Sequence, residues 1–450
     1  MKMKKQFQAA YVPIGVGTFH MPSAQALFDA SKTLLKELNE DTAVPEEMIL
    51  NTDALGAYLD TLDPDLIILQ NLTFANAAYT AEIMHRFRDV PVLLWTLREP
   101  VIDGGRLRLN ALTGAFSAAN TIRQFKNEQF EFIYGSPEED AVKDTLAKMI
   151  RAAKVRFEMK SLKVCAIGHT PQGFGFGRAL DNDLLETFGI RQEAIEAREL
   201  IDLAKSYTDE ECEEYLNDAL NRTEGLENTP EKNRLDFARL YKAYDEYVKK
   251  NNIGAIASRC WPDFFTSFGT PVCSVLAILN DLGVAASCEA DMYGAVSMWM
   301  GMRLSEKSVF FGDPVSLDEK ENTITFWHCG MAACSLARKD TGACVGEHCN
   351  RHIGPTMEFG TEASEHATVF RIGRNPDGTF RFFIAEGKAL DRPKQFFGTS
   401  TVIEMDFSAE MIIHEAVLDG WEPHYAVIYA DVADELEMLA HMFRAEVRRY

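Results

Sequence analysis

Several absences in this sequence narrow its class before any motif is considered. None of its 450 residues falls in a run of 18 apolar side chains, so no membrane-spanning helix is expected. Positive charge is scarce, with 46 Lys and Arg against 68 Asp and Glu, a net charge of -22. Nucleic acid and anionic membrane are held through basic surface, so neither is expected as a partner. The nine cysteines are an odd number and show no spacing of a small disulfide framework. They read as free thiols in a reducing, cytoplasmic compartment. The start, MKMKKQFQAAYVPIGVG, is basic, but Pro13, Gly15 and Gly17 interrupt its apolar portion, which suits a strand and loop better than an export signal. There is no G-x-S-x-G elbow and no P-loop, which weakens hydrolase and kinase readings. Gly173-Phe-Gly-Phe-Gly177 lacks the G-x-G-x-x-G spacing and lies well past its strand. It reads as backbone that lets another chain or a substrate come close, not as a dinucleotide loop.

What is present has the texture of an α/β enzyme. The length exceeds one ordinary core, so two or three domains are expected. Apolar runs at Leu66–Gln70 and Val90–Trp95, with Phe130–Ile133 as a further candidate, alternate with helical stretches. That alternation predicts a parallel, doubly wound sheet, whose ligands meet the loops past the strand ends. Those loops carry His20, Gln70-Asn71 and Arg98-Glu99, although loops are polar in any case. A second α/β unit begins at Lys163–Gly168. An acidic helical region over roughly 196–250 separates it from the strand Ile253–Ala257. After about residue 305 short β-branched and aromatic runs succeed one another with turns such as Asn375-Pro-Asp-Gly378 between them, which predicts antiparallel sheet, barrel-like. A last amphipathic helix is expected from Val432, with Leu436, Leu439, Phe443 and Val447 on one face. The expected division is 1–160, 161–305 and 306–450: two Rossmann-like domains and a β-rich one.

The stretch that stands out is Val284–Met302. Two acids, Glu289 and Asp291, sit between an apolar run and a small-residue helical pattern. Desolvated charge needs a partner, and a cation suits carboxylates. Asp313, His328 and His424 also end or precede apolar runs. Carboxylate and imidazole without thiolate suit Mn²⁺, Co²⁺ or Mg²⁺ better than structural zinc. A lone His at a strand end is more often a hydrogen-bonded structural residue. Cys344-Val-Gly-Glu-His-Cys349, with His352 beyond it, has no second cysteine pair and is not read as a zinc site, and the sheet pattern gives no reason for Cys329 or Cys334 to converge on it.

Cys288-Glu-Ala-Asp-Met-Tyr-Gly-Ala295 and Trp327-His-Cys-Gly330 resemble signatures of the L-fucose/L-arabinose isomerase superfamily. So do Arg259-Cys-Trp-Pro262, Leu97-Arg-Glu-Pro100 succeeded by Gly104–Asn110, and Pro423-His-Tyr-Ala426. The matches run in order from about residue 12 to 435. The resemblance implies a Mn²⁺-dependent aldose-ketose isomerase, a homo-oligomer (trimer or hexamer) whose N-terminal domains complete neighbouring active sites. Glu289 and Asp313 would be metal ligands and the acid/base pair working through a cis-enediolate, with His424 a third ligand. His328 would be a ligand in the arabinose-type branch only, and Asp291 becomes a supporting residue. At 450 residues the chain is shorter than either named enzyme, so the match does not fix the sugar. His20, Trp95, Arg98, Asn110, Arg259 and Trp261 are expected to bind it. The resemblance leaves a deoxy or pentose sugar open; His20, Arg98 and Arg259 are more cationic than a neutral sugar needs, which points to a C6-anionic sugar such as a 6-deoxy-6-sulfo one. The plainer alternative is that the arginines pair with Glu99 and Asp263. A non-catalytic two-domain sugar-binding protein is the reading from another class; it predicts an export signal and no metal.

Overall fold

The computed structural model describes residues 6–126 and 130–450. Contacts divide the chain into two units, one running to Phe157 and including Met438–Arg444, the other comprising Glu158–Glu437 and Ala445–Tyr450. The second unit takes in the residues expected in the central domain and those expected in the C-terminal one except 438–444, which fall in the first unit.

In the first unit the strands β1 (Ala9–Ile14), β2 (Leu66–Asn71), β3 (Val92–Thr96) and β4 (Glu131–Tyr134) form a parallel sheet in that order. The first three are buried along their whole length, which is why they are continuous apolar runs. Segment 43–49 runs along the other edge of β1, with the Tyr11 N–H donating to the Ala43 carbonyl at 2.9 Å and the Ile49 N–H to the Pro13 carbonyl at 3.0 Å. Strand order therefore reverses at β1.

The second unit begins with another parallel sheet: β5 (Lys163–Ile167), β6 (Arg191–Ile195), β7 (Ala255–Ser258) and β8 (Ala285–Ser287), in the order β6-β5-β7-β8. Here too the order reverses at the first strand. β6 has no counterpart in the sequence reading, because RQEAI is a half-exposed edge strand with little apolar signal. The acidic region beyond it is three helices, Ala197–Ser206, Glu213–Arg222 and Glu231–Asn251.

A closed barrel comes next. Its strands are β9 (Phe310–Asp318), β10 (Thr323–His328), β13 (Ser364–Arg374), β14 (Phe380–Ala389), β15 (Thr399–Met405) and β16 (Tyr425–Ile428); the short pair β11 (Val345–Gly346) and β12 (Thr356–Met357) stands apart. The six pair antiparallel in the order β13-β16-β9-β10-β15-β14, and β14 returns to β13. Helix Met292–Ser305 packs on it and is buried on every side except at Arg303 and Ser305. An all-round apolar helix belongs inside a structure, and Gly294 lets this one approach closely: a Cβ there would lie 2.6 Å from the Phe311 ring.

The chain end differs from expectation. The last helix is Ala433–Phe443, and Arg444 is left-handed (φ 59°). Residues Glu446–Arg449 form β17, parallel to β14, with Val447 opposite Phe382 rather than on a helix face. Among the described residues no helix is long and apolar enough to cross a membrane.

Candidate metal and catalytic centre

β8 ends in a strained turn. Glu289 and Ala290 are both left-handed, with φ of 57° and 56°, a conformation that costs a non-glycine residue about 1–3 kcal/mol. The Ala290 N–H donates to the Ser258 carbonyl at 3.1 Å and the Asp291 N–H to the Cys288 carbonyl at 3.2 Å. Asp291 then caps helix Met292–Ser305, accepting the Gly294 N–H at 2.9 Å. The turn thus sends Glu289 and Asp291 to different tasks.

The barrel supplies the rest from four neighbouring strands. Tyr425 of β16 lies opposite Gly312 of β9, and Asp313 lies opposite Trp327 of β10. That register brings His424, Asp313 and His328 to the same level of the wall, and β13 adds Arg371. Arg371 grips Asp291 with two hydrogen bonds, 2.5 and 3.1 Å, both side chains being wholly buried. Asp291 also meets the His424 Nδ1 at 2.9 Å. The His424 Nε2 in turn lies 3.1 Å from the Glu289 Oε2 and 3.4 Å from the Asp313 Oδ1. Candidate ligand atoms of Glu289, His328 and His424 all lie within 4.8 Å of one another.

Charge balance separates these groups. Burial pushes Asp291 up, but Arg371 and His424 outweigh it and hold its carboxyl far below the usual range. Burial also opposes Glu289, yet the His424 hydrogen bond, the two imidazoles and the Trp261 N–H (3.2 Å from Oε1) lower it. Asp313 moves the other way, raised by the enclosure of its carboxyl end. Burial lowers His328. For His424 burial is overcome by hydrogen bonds to Asp291 and Glu289, and its imidazolium is raised from 6.5 to about 9.

The glycine-rich turn forms one wall. Phe176 meets the His424 ring edge-on at 5.4 Å, and Phe174 meets Trp261 at 6.1 Å. A Cβ on Gly177 would sit 2.9 Å from the Asp291 Cα, so this glycine is where the turn touches the cluster. The glycine pattern predicts close approach of another chain or a substrate, whereas Gly177 approaches Asp291 of its own chain, and nothing in the pattern points to these two rings. It also passed over Arg371, inside the apolar run of β13.

The other expected site residues are placed as follows. Trp261 holds Glu289, as above. The Arg259 Nε lies 2.9 Å from Asp263 and donates to the Trp261 carbonyl at 3.0 Å, so its pairing is the plainer alternative. In the first unit, Trp95 is fully enclosed and donates its indole N–H to the Gly135 carbonyl at 2.9 Å. Arg98 pairs with both carboxylate oxygens of Glu139 (2.7 and 2.9 Å), not with Glu99. Glu99 instead accepts backbone N–H groups of Arg108, Leu109 and Asn110. The His20 Nδ1 lies 2.8 Å from the Ser23 hydroxyl, and the Asn110 side chain accepts the Thr113 hydroxyl at 2.7 Å. The cluster around Glu289 is built wholly from the second unit.

Comparison with known proteins gives no matching family model. Full-length relatives are nevertheless clear. The chain is 59% identical over 445 residues to a sulfoquinovose isomerase of Clostridium sp. (strain MSTE9), covering 99% of each. It is 36% identical over 440 residues to that of Alkalicoccus urumqiensis, covering 97% of this chain and 98% of the relative. It is 34% identical over 444 residues to that of Priestia aryabhattai, covering 98% of each.

Proposed function

The chain belongs to the sulfoquinovose isomerase family, and from that premise we propose that it interconverts a 6-sulfo aldose and its 2-ketose by moving protons between C1 and C2. It is an isomerase, an intramolecular oxidoreductase. The observation that carries the mechanism is the meeting of Glu289 and Asp313 at one nitrogen of His424.

The reaction transfers one proton between adjacent carbons and another between their oxygens, through an enediol. Both transfers need a group within hydrogen-bond reach, each contributing about 10²–10⁴-fold. Two titratable groups pushed in opposite directions suit opposite tasks. Glu289, held ionised and aimed by the Trp261 N–H, takes the carbon-bound proton. Asp313, raised, carries the proton of the sugar oxygens. His424 keeps Nδ1 on Asp291, which Arg371 fixes, so Nε2 stays directed at the two carboxylates.

The donor set fits a divalent cation. Glu289, Asp313, His328 and His424 offer oxygen and imidazole nitrogen without thiolate, which suits Mn²⁺, Co²⁺ or Mg²⁺. Such a cation supplies Lewis-acid polarisation of the sugar's neighbouring oxygens. The supporting hydrogen bond from His424 to Asp291 is of the kind that orients a metal-binding imidazole.

The sulfonate needs its own cation. Arg98 and Arg259 are engaged by carboxylates, whereas among the described residues no carboxylate pairs with Arg351. Its guanidinium lies over Trp261 at 5.7 Å and Phe265 at 5.3 Å, beside the ring that holds Glu289. We assign it the anionic tail. The proposal retains the Rossmann-like doubly wound description of the parallel sheets, kinship with the fucose/arabinose-type isomerases, cytoplasmic location, and a trimer or hexamer in which His20 and Asn110 serve a neighbouring site.

The test is to strip the protein with chelator, add Mn²⁺, and track sulfoquinovose and glucose by NMR in deuterated water. Ketose formation from the sulfonated sugar, dependent on added metal and with deuterium entering at carbon, is expected. Glucose as the better substrate would overturn the sulfonate assignment, and product without deuterium would overturn the proton-transfer route.

A further inference from the structure

Behind the carboxylate–imidazole cluster lies a second group of polar side chains for which the isomerase reaction has no use. Its thiols are Cys273, at the start of a helix, and Cys329, just past a strand, whose Sγ lies 3.5 Å from the His328 Nδ1. Neither is in a disulfide. The ligand atoms of Cys273, Cys329 and His348 all lie within 4.8 Å of one another. Cys273 opens helix Cys273–Asp281, where the helix dipole favours a thiolate. Cys329 comes directly after His328 at the end of β10, and His348 comes from the turn between β11 and β12. Cys273 and His348 are buried and Cys329 partly so.

We propose that Cys273, Cys329 and His348 form a second metal site, taking a thiophilic divalent ion of the zinc class. Two thiolates and an imidazole are the donor set such an ion prefers, whereas Mn²⁺ and Mg²⁺ prefer the oxygen-rich cluster next to it. Three protein ligands leave one position of a tetrahedral ion to water. Loading converts two thiols to thiolates and releases their protons to solvent. The His348 Nδ1 accepts the Asn350 N–H at 3.2 Å, so ligation through that ring resets this contact. The two sites are interleaved in the chain: His328 and Cys329 are consecutive, and so are Cys288 and Glu289. The CVGEHC segment therefore contributes its histidine to a metal, but neither of its own cysteines.

Two arms test this without measuring turnover. Chelator-treated full-length protein is titrated with Co²⁺ and read for the thiolate-to-cobalt charge-transfer band in the near ultraviolet. A saturable band whose plateau corresponds to one thiolate-bound cobalt per chain is expected; it should persist in Glu289→Gln and in Cys344→Ser, and be lost in the Cys273→Ser/Cys329→Ser double variant, with circular dichroism confirming that each is folded. Independently of any variant, zinc-edge X-ray absorption of the wild-type protein with one equivalent of Zn²⁺ should show sulfur in the coordination shell. No charge-transfer band in the wild type, a band that survives the double variant, or a zinc spectrum with only nitrogen and oxygen neighbours would each overturn the proposal. Because the band is independent of Glu289, failure here is distinguishable from failure of the isomerase reading.

Discussion

The polar residues past β3 and those past β8 look alike in sequence and behave differently in the structure. Past β3 every charge has found a local answer: Arg98 lies on Glu139, and Glu99 is spent on three backbone N–H groups. Past β8 and along the barrel wall, three carboxylates face two imidazoles, and Asp291 alone has an arginine. Polar loops at strand ends are therefore poor evidence by themselves. What marks a site is like charge held together without enough opposite charge. The first unit has exceptions: among the described residues neither atom of the buried Asn71 amide finds a hydrogen-bond partner, nor does the Thr96 hydroxyl.

Four experiments press on that contrast. The largest effect is expected from Glu289→Gln, which keeps shape and removes the proposed base; sulfoquinovose turnover should fall about 10²–10⁴-fold, and unchanged turnover would remove the distinction between the two regions. Next is Arg371→Met. It leaves Asp291 buried without its main partner, so denaturant unfolding should show a loss of about 3–5 kcal/mol. A third effect depends on pH. Because His424 is raised from 6.5 to about 9, its contribution in chelator-treated protein is fully present below 6.5 and lost as pH rises through about 9. Cation affinity should run the other way, rising over that window as the proton on Nε2 ceases to compete. Melting curves and Mn²⁺ titrations across the window should have opposite slopes, and His424→Gln should flatten the first. The smallest contrast sets two arginines against each other. Arg351→Gln should raise KM for the sulfonated sugar, while Arg98→Gln should leave both KM and melting temperature close to wild type. A reversed result would move the sulfonate to the other region.

The parts of the site legible in sequence are those where chemistry coincides with an element boundary. Glu289, Asp313, His328 and His424 each adjoin a buried run, and a register of three strands carries the last three to one level. Arg371 was hidden because a single cation inside Thr368–Gly373 looks like an exposed strand face, and its partner is 80 residues away. Cys273, Cys329 and His348 escaped for the same reason: no spacing rule joins a helix start, a strand end and a turn. The fold was legible wherever burial is complete, as in β1 to β3. The half-exposed β6 gave no such signal and has no counterpart in the sequence reading. At the chain end, Leu436, Leu439, Phe443 and Val447 fit a helical period that Arg444 in fact terminates.

The two left-handed residues at the end of β8 bear on how this enzyme could be made hardier. Glycine at 290 would adopt the observed backbone without penalty, and removing such strain is worth about 1 kcal/mol or more. It would also free the hinge that aims Glu289. Breeding for heat tolerance alone would therefore favour Ala290→Gly and drift toward a sturdier, slower protein, whereas breeding for turnover would hold the alanine in place. The direction in which that one position moves reports which pressure was applied.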